Sequence, residues 1–554
     1  MDKKRFLQSV LVFLFFGTFV TLANITAASL NYDLIWCFHI SQKVANGFNL
    51  YSEIGTVVTP IYFWLGSLFI KIFGNSLISM QIYSGVVCGG ITTVIFNIIK
   101  ETMNKENKLA PYIFIFWAVL LCSQISLTNY NSTALLFVFI AIFIEIRKEK
   151  RRIDANQNIT SKKENLYNLL IGLFLGIAFF TKQNVGALGV FATGTYSLIY
   201  KCFIKKENTI KEILLKASGF LSVFAVMMIY FACTNTIVDF FNFCFGGLLE
   251  FGNKNLKFGM PVGYIGVLVI IYLACAIVKD EKTNNNLMVL EVLYLIFLMF
   301  LIYPLTNSYH MQIGMIMAFP LTILILNKVV GNHTFYSLLA TLFLLFLRLA
   351  ALSGGVTETS TEVMFGNTIN NFWYIINIFI TFYLIIFASG IVADVRNIMK
   401  SLSFGCAILA VFLGVSIYID NIEANSYLPE RLSIYKNFGL SEEVTNYIND
   451  VVEYILEKEA QGYDVYVVSA DASYYMAALG RNQYKYDLNL YGSLGYDGEN
   501  VLIEETKMLK NALILKDENI MHQEPMEFDA FIKETYTVVD KVGSLIVYST
   551  EGKM

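Results

Sequence analysis

Residues 131–152 read Asn131-Ser-Thr-Ala-Leu-Leu-Phe-Val-Phe-Ile-Ala-Ile-Phe-Ile-Glu-Ile-Arg147-Lys-Glu-Lys-Arg-Arg152. An apolar run over 131–146 closes on five bases within six residues. Such a run is long enough to cross lipid as a helix when its flanks are included. Lys and Arg beside a span prefer the cytoplasmic face, so this one segment sets both the class of protein and the orientation of its neighbours.

The whole chain agrees with that reading. Of its 554 residues 56% are hydrophobic and 15% charged, with 46 Phe, 33 Tyr and only 7 Pro. Its mean hydropathy is +0.57. Soluble domains carry roughly 45–50% apolar and about 25% charged residues. Disorder, collagen, a small disulfide scaffold and a nucleic-acid-binding domain are excluded; a polytopic α-helical membrane protein remains.

Apolar segments of span length fall at 7–28, 76–99, 110–126, 131–146, 166–181, 184–203, 211–233, 259–279, 286–303, 311–328, 333–352, 371–393 and 401–419, thirteen in all. With the N-terminus inside, the cytoplasmic loops hold 22 bases and the outer side before residue 420 holds six: Lys43, Lys71, Lys182, Lys254, Lys257 and Arg348. The start, Met1-Asp-Lys-Lys-Arg5 before an apolar run, reads as a retained first helix rather than a cleaved leader.

Residues 57–73 (VVTPIYFWLGSLFIKIF) are apolar, but counting them as a span would place Arg147–Arg152 outside. They read instead as a re-entrant or interfacial helix. It lies in a long first external loop over 31–75, which also contains a polar amphipathic stretch from Asp33 to Asn46.

Apolar runs stop near residue 420. The remainder holds 24 acids and 11 bases, net −13, which leaves +10 for residues 1–419. The expectation is a transmembrane domain over 1–419 and a soluble extracytoplasmic α/β domain over 420–554. In the latter, 441–459 has helical spacing, and DVYVVS (464–469), ALILK (512–516) and SLIVYS (544–549) read as short buried strands. A glycine-rich loop, Tyr486 to Glu499, lies between them. None of the eight cysteines falls in this tail, so it would fold outside the membrane without disulfides, which suits a bacterium.

Candidate functional residues sit at the outer ends of spans. Asp33 follows the first span at the water–lipid boundary, where partial desolvation makes a carboxylate a stronger base. It reads equally as the N-cap of a helix starting at Leu34. Glu53 is a second acid in that loop, after Tyr51. Asp239 and Glu250 flank an aromatic loop, Phe240 to Phe245, expected at headgroup level. Lys182, in Phe179-Phe-Thr-Lys182-Gln, is either a phosphate contact or an interface lysine reaching toward water. Arg348 admits the same two readings. His310, in a short outer turn beginning at Tyr303-Pro304, is either a phosphate donor or a structural hydrogen-bonding group. No HExxH, CxxC, P-loop, GxSxG or dinucleotide fingerprint is present.

The order Asp33, Ala45-Asn46-Gly47, Tyr51, Pro60-Ile-Tyr-Phe-Trp64 and Phe73-Gly74 resembles the GT-C class of membrane glycosyltransferases, which use polyprenyl-phosphate sugars. Bacterial aminoarabinose transferases and protein O-mannosyltransferases are its relatives. Phe180-Thr-Lys-Gln183, Tyr303-Pro304 with His310 and Pro320, and the Tyr486–Glu499 loop are similar to further pieces of bacterial members.

The resemblance implies an inverting glycosyltransferase of the bacterial plasma membrane. A hexosyl or pentosyl group would pass from an outward-facing polyprenyl-phosphate carrier to a glycan, lipid or protein. Asp33 would be the general base; Lys182 and His310 would bind the donor phosphate. Tyr51, Glu53, Asn129, Asn131, Tyr303 and Arg348 would be substrate contacts.

The chain departs from some relatives in two places. Amides (Asn129, Asn131) stand where these carry a second acid, and Val58-Thr59 stands where they have a base. No cofactor is required; a divalent metal is compatible with the chemistry, but no motif supports one. The rival readings are a lipid-linked-glycan flippase, a non-catalytic subunit of an envelope-assembly complex, and, among enzymes, a glycan ligase or polymerase. Nucleic acid is no partner in any of them.

Overall fold

A computed structural model describes residues 3–24, 32–102, 130–154, 161–247 and most of 425–550. These fall into two compact units. The expected spans at 110–126 and from 259 to 419 lie outside the described residues.

The first unit takes in Met1–Asn24 and Ser84–Ala225. Its helices are α1 (Lys3–Asn24), most of α4 (Leu77–Thr102), α5 (Tyr130–Asp154), α6 (Ser161–Thr181), α7 (Gln183–Gly194) and most of α8 (Ile210–Cys233). A π-helical stretch, Thr195–Ile204, extends α7. Six described segments are long and apolar enough to cross a membrane: Lys3–Thr21, Leu77–Glu101, Tyr130–Arg152, Lys162–Thr181, Gln183–Ile204 and Ile210–Cys233. Each overlaps an expected span.

Lipid gives packed helices no hydrophobic gain, so close backbone contact and internal hydrogen bonds must hold them. Glycine supplies the contact between α6 and α8. A Cβ at Gly172 would strike the carbonyl of Lys216, and one at Gly219 would strike that of Leu169. Polar groups join α1 to α4: Arg5 donates to the Asn97 side chain at 3.0 Å and pairs with Glu101 at 2.9 Å.

The helices run past the apolar stretches into their charged ends, and there the structure corrects the sequence reading. Lys148 and Lys201, counted among the bases of cytoplasmic loops, lie on helical segments and are fully buried. The reason is that α5 continues to Asp154 and the π-helical stretch to Ile204, which carries these bases into the bundle. Glu212 of α8 is the hub. Its carboxylate accepts from Lys148 at 2.9 Å, Lys201 at 2.8 Å and Lys216 at 2.8 Å. Glu145 pairs with Lys148 at 2.6 Å and Lys216 at 2.7 Å, and Glu149 pairs with Lys201 at 3.1 Å. Asn168 of α6 accepts from Lys148 at 2.8 Å.

The second unit takes in Ile25–Tyr83, Val226–Leu256 and Ile417–Met554. It contains α2 (Tyr32–Ala45), α3 (Ile61–Phe73) and α9 (Ile237–Phe241), which continues as a π-turn over Asn242–Gly246. The aromatic segment at 240–245 is therefore helical, not the loop expected. Helix α3 has 13 residues, about 20 Å at 1.5 Å per residue, which is too short to span lipid. It buries Tyr62, Phe63, Ser67 and Ile70 and exposes Leu68, Ile72 and Phe73.

The tail in this unit is mixed α/β: α10 (Glu442–Ala460), β1 (Asp464–Val467), α11 (Ala472–Leu479), α12 (Gly498–Lys507), β2 (Ala512–Asp517), α13 (Met526–Thr535), β3 (Thr537–Val542) and β4 (Leu545–Ser549). The sheet order is β1-β2-β4-β3, with β1 parallel to β2 and the other pairs antiparallel. Ser441 caps α10 by accepting from Val444 N, and Ile448, Val451, Val452 and Ile455 form its buried face. The three expected strands are present. The fourth, β3, was not anticipated: it is an exposed edge carrying Asp540 and Lys541, and a register shift at Val538/Asp540 breaks its alternation.

Two measurements test this account. Glu212→Gln leaves three buried ammonium groups short of a partner and should lower stability by about 3–5 kcal/mol. Adding Lys201→Gln should recover part of the loss; additive effects in thermal unfolding would contradict the network.

In the tail, Asp529 lies 2.8 Å from Lys516 and 3.0 Å from Lys533. Burial works to raise its carboxyl, but these ammonium groups outweigh it and hold the group below the usual range. A depressed carboxyl stabilises above its unfolded pKa and loses that effect as pH falls through the folded one. The stability gap between wild type and Asp529→Asn should therefore narrow below about pH 4; a gap independent of pH would refute the pairing.

Candidate functional site

Helix α2 starts at Tyr32, so Asp33 lies in its first turn and does not cap a helix beginning at Leu34. The amphipathic reading of this helix is corrected as well. From Leu34 to Lys43 every residue is buried, the polar ones included. The polar face meets protein: Gln42 Nε2 donates to Asn75 Oδ1 at 3.0 Å and to the Ala477 carbonyl of α11 at 3.2 Å. Gln42 Oε1 lies 3.0 Å from His39 Nδ1, and Ser41 donates to the Cys37 carbonyl at 2.8 Å. On another side Trp36 meets Phe63 of α3 edge to face, 6.0 Å between ring centres.

The chain then enters a tight turn. Asn49 N and Nδ2 donate to Glu53 Oε2 at 2.7 and 3.1 Å, so this exposed carboxylate closes its own turn. Tyr51 adopts φ 75° and is fully buried. Its hydroxyl donates to the Val58 carbonyl at 3.1 Å, and Cys244 Sγ lies 3.5 Å away. Phe231, Phe240 and Phe243 surround the ring. Burial, then the neighbouring Cys244, pushes the Tyr51 hydroxyl well above its ordinary pKa. Tyr51 is placed as a packing anchor.

Three segments that the sequence shows as separate motifs meet around Phe243. Gly55 N donates to the Lys485 carbonyl at 2.6 Å, and a Cβ at Gly55 would lie 2.8 Å from the Phe243 ring. Lys485 Nζ sits 5.2 Å from the centre of that ring and 3.8 Å from Asp239. The Tyr486 ring lies 6.2 Å from Phe243, and Asn242 Oδ1 accepts from Tyr496 N at 2.7 Å. Glu499, which ends the same motif, accepts from Phe528 N at 2.9 Å. The tail motif thus braces α9 and the Tyr51 turn. Sequence reasoning missed Gln42, Phe243 and Lys485, because their partners lie hundreds of residues away.

In the first unit, Lys182 stands between α6 and α7 with extended backbone, φ −155° and ψ 112°. It is 8% exposed, and its ammonium lies 4.5 Å from the Tyr130 ring centre. Asn131, buried, follows Tyr130 at the start of α5. Two expected substrate contacts therefore share one end of the α5–α6–α7 group. Asn129, Tyr303, His310 and Arg348 lie outside the described residues.

Glu145, Glu149 and Glu212 bring carboxylate oxygens within 4.8 Å of one another, a spacing that could suit a metal ion. Lys148, Lys201 and Lys216 already balance their three charges at hydrogen-bond distance. That donor set fits a structural clamp better than a cation site.

Comparison with known proteins bears on the whole arrangement. Residues 57–231 match the dolichyl-phosphate-mannose-protein mannosyltransferase family. The crystal structure of ArnT from Cupriavidus metallidurans bound to undecaprenyl phosphate is similar to this chain at TM-score 0.54 and 12% identity, covering 98% of this chain and 97% of that one. Its apo state gives 0.52 and 11%, with the same coverage. The archaeal oligosaccharyltransferase AglB from Archaeoglobus fulgidus gives 0.45 and 10%, over 97% of this chain and 74% of its own. No protein of curated function matches the chain by sequence. The chain therefore shares the fold of ArnT over nearly the full length of both chains, and within it residues 57–231 match the mannosyltransferase family.

Proposed function

We propose that the protein is an inverting glycosyltransferase of the bacterial plasma membrane, with its N-terminus in the cytoplasm and its C-terminal domain outside. It moves a hexosyl or pentosyl group from a polyprenyl-phosphate carrier to a glycan, lipid or protein acceptor. The observation that carries this reading is the near-complete coverage of both chains in the ArnT comparison, with the mannosyltransferase match inside it.

In the proposed reaction Asp33 takes the proton of an acceptor hydroxyl. The hydroxyl oxygen bonds to the anomeric carbon, and the bond from that carbon to the phosphate oxygen breaks. The polyprenyl phosphate leaves with the electron pair. Lys182 and His310 stabilise its gathering charge. Two features of Lys182 suit this role: its buried position keeps the ammonium partly desolvated, and the Tyr130 ring lies 4.5 Å from it. Asn129, Asn131, Tyr303 and Arg348 are proposed substrate contacts. Tyr51 and Glu53 act on this reading through the turn they hold.

The test uses full-length protein in lipid nanodiscs, radiolabelled polyprenyl-phosphate sugars and a membrane extract as acceptor. Wild type should transfer sugar. Asp33→Asn should lower the rate by roughly 10²–10⁴-fold while still binding carrier. Lys182→Met should weaken carrier binding, and Lys182→Arg should restore part of it. Carrier binding without transfer by wild type, against the full donor panel, would favour the flippase reading.

A further inference from the structure

Trp36 is 3% exposed, and among the described residues its indole Nε1–H has no hydrogen-bond partner. Other polar groups of α2 do have partners: His39 Nδ1 meets Gln42, Ser41 meets Cys37, and Gln42 reaches Asn75 and Ala477. Buried donors are nearly always satisfied, and one left over needs an explanation. The indole N–H is a donor only, so an acceptor, most commonly an oxygen, must satisfy it.

Position narrows the choice of that acceptor. Trp36 is three residues, about one turn, after Asp33 on a 14-residue helix. Helical Cα–Cβ bonds tilt toward the N-terminus, so Trp36 leans over the turn that carries Asp33. That end of the helix also bears the positive pole of its dipole and favours an anion. The ring itself meets Phe63 edge to face. What it has left to offer is the N–H.

We infer that the Trp36 indole N–H is a hydrogen-bond donor to a phosphate oxygen of the polyprenyl-phosphate carrier, one turn along α2 from Asp33. The inference rests on the carrier reading given above. It also explains why a neutral donor stands there. As sugar transfer proceeds, the carrier changes from a phosphodiester to a phosphomonoester and gains charge, while Asp33 gains the acceptor's proton. A cation one turn away would stabilise the phosphate but would also weaken Asp33 as a base. An indole N–H stabilises the phosphate oxygen with much less effect on the carboxylate.

The experiment measures binding of undecaprenyl phosphate and of undecaprenol to the full-length protein in nanodiscs. Wild type is compared with Trp36→Phe, which keeps a ring against Phe63 and removes the N–H. The expected result is undecaprenyl phosphate bound about tenfold or more weakly by the variant, with undecaprenol unchanged. In wild type carrying 15N-indole tryptophan, the Trp36 N–H proton should move downfield on adding undecaprenyl phosphate and stay put with undecaprenol or inorganic phosphate.

Equal affinity of the two proteins for undecaprenyl phosphate, or an equal loss for both lipids, overturns the inference and leaves the carrier reading standing. A shift with inorganic phosphate alone means a free-anion site and overturns it too. A wild type that does not prefer undecaprenyl phosphate to undecaprenol removes the carrier reading, and the inference falls with it. Should Trp36→Phe fail to fold, the wild-type resonance decides.

Discussion

A charged side chain drawn into a helical bundle must find its opposite there. Glu212 meets that constraint by holding the ammonium groups of Lys148, Lys201 and Lys216 within 2.9 Å. Those lysines belong to three different helical stretches, and Asn168 ties in a fourth through Lys148. Desolvating six charges is expensive, and the surrounding hydrogen bonds must offset it. What the arrangement supplies is register. Sliding α8 by one turn would carry Glu212 away from Lys148 and Lys201 at once, so the network favours one packing of α5, α6, α7 and α8. The close approach of Gly172 and Gly219 selects the same packing from the apolar part of these helices.

The six described spans were legible because lipid makes length and apolarity the same question, and neither depends on a partner. The strands DVYV, ALILKD and LIVYS were legible for a similar reason: each is buried enough to leave an apolar run. β3 was not, because an exposed edge strand needs no apolar alternation. The charge network was also hidden. In sequence, Lys148 and Lys201 look the same as any base that marks the end of a span, and only the continued helix moves them indoors.

The candidate site divides along the same line. Asp33 and Lys182 stood out by position alone, an acid and a base where spans end. Tyr51 stood out too, but its surroundings gave it a different meaning: a tyrosine held at φ 75°, with its hydroxyl occupied and three phenylalanine rings around it, fixes a turn. Trp36 gave no signal, since a tryptophan in an apolar helix is ordinary core. It becomes informative because its buried N–H has no hydrogen-bond partner among the described residues, while Ser41 and Gln42 of the same helix have theirs.

Within the second unit, the turn after α2 is held from several directions. Gln42 reaches the backbone of α11, Gly55 reaches that of Lys485, and Asn242 reaches that of Tyr496. Two of these are side-chain amides bound to main chain, so they fix position without placing charge near α2. The Lys485–Asp239 contact, at 3.8 Å and partly exposed, adds little by comparison. The tail therefore braces the segment that carries Asp33 and Trp36 through neutral contacts. On the proposed reading, that arrangement leaves the charge around Asp33 to be set by the substrate and the few groups that touch it.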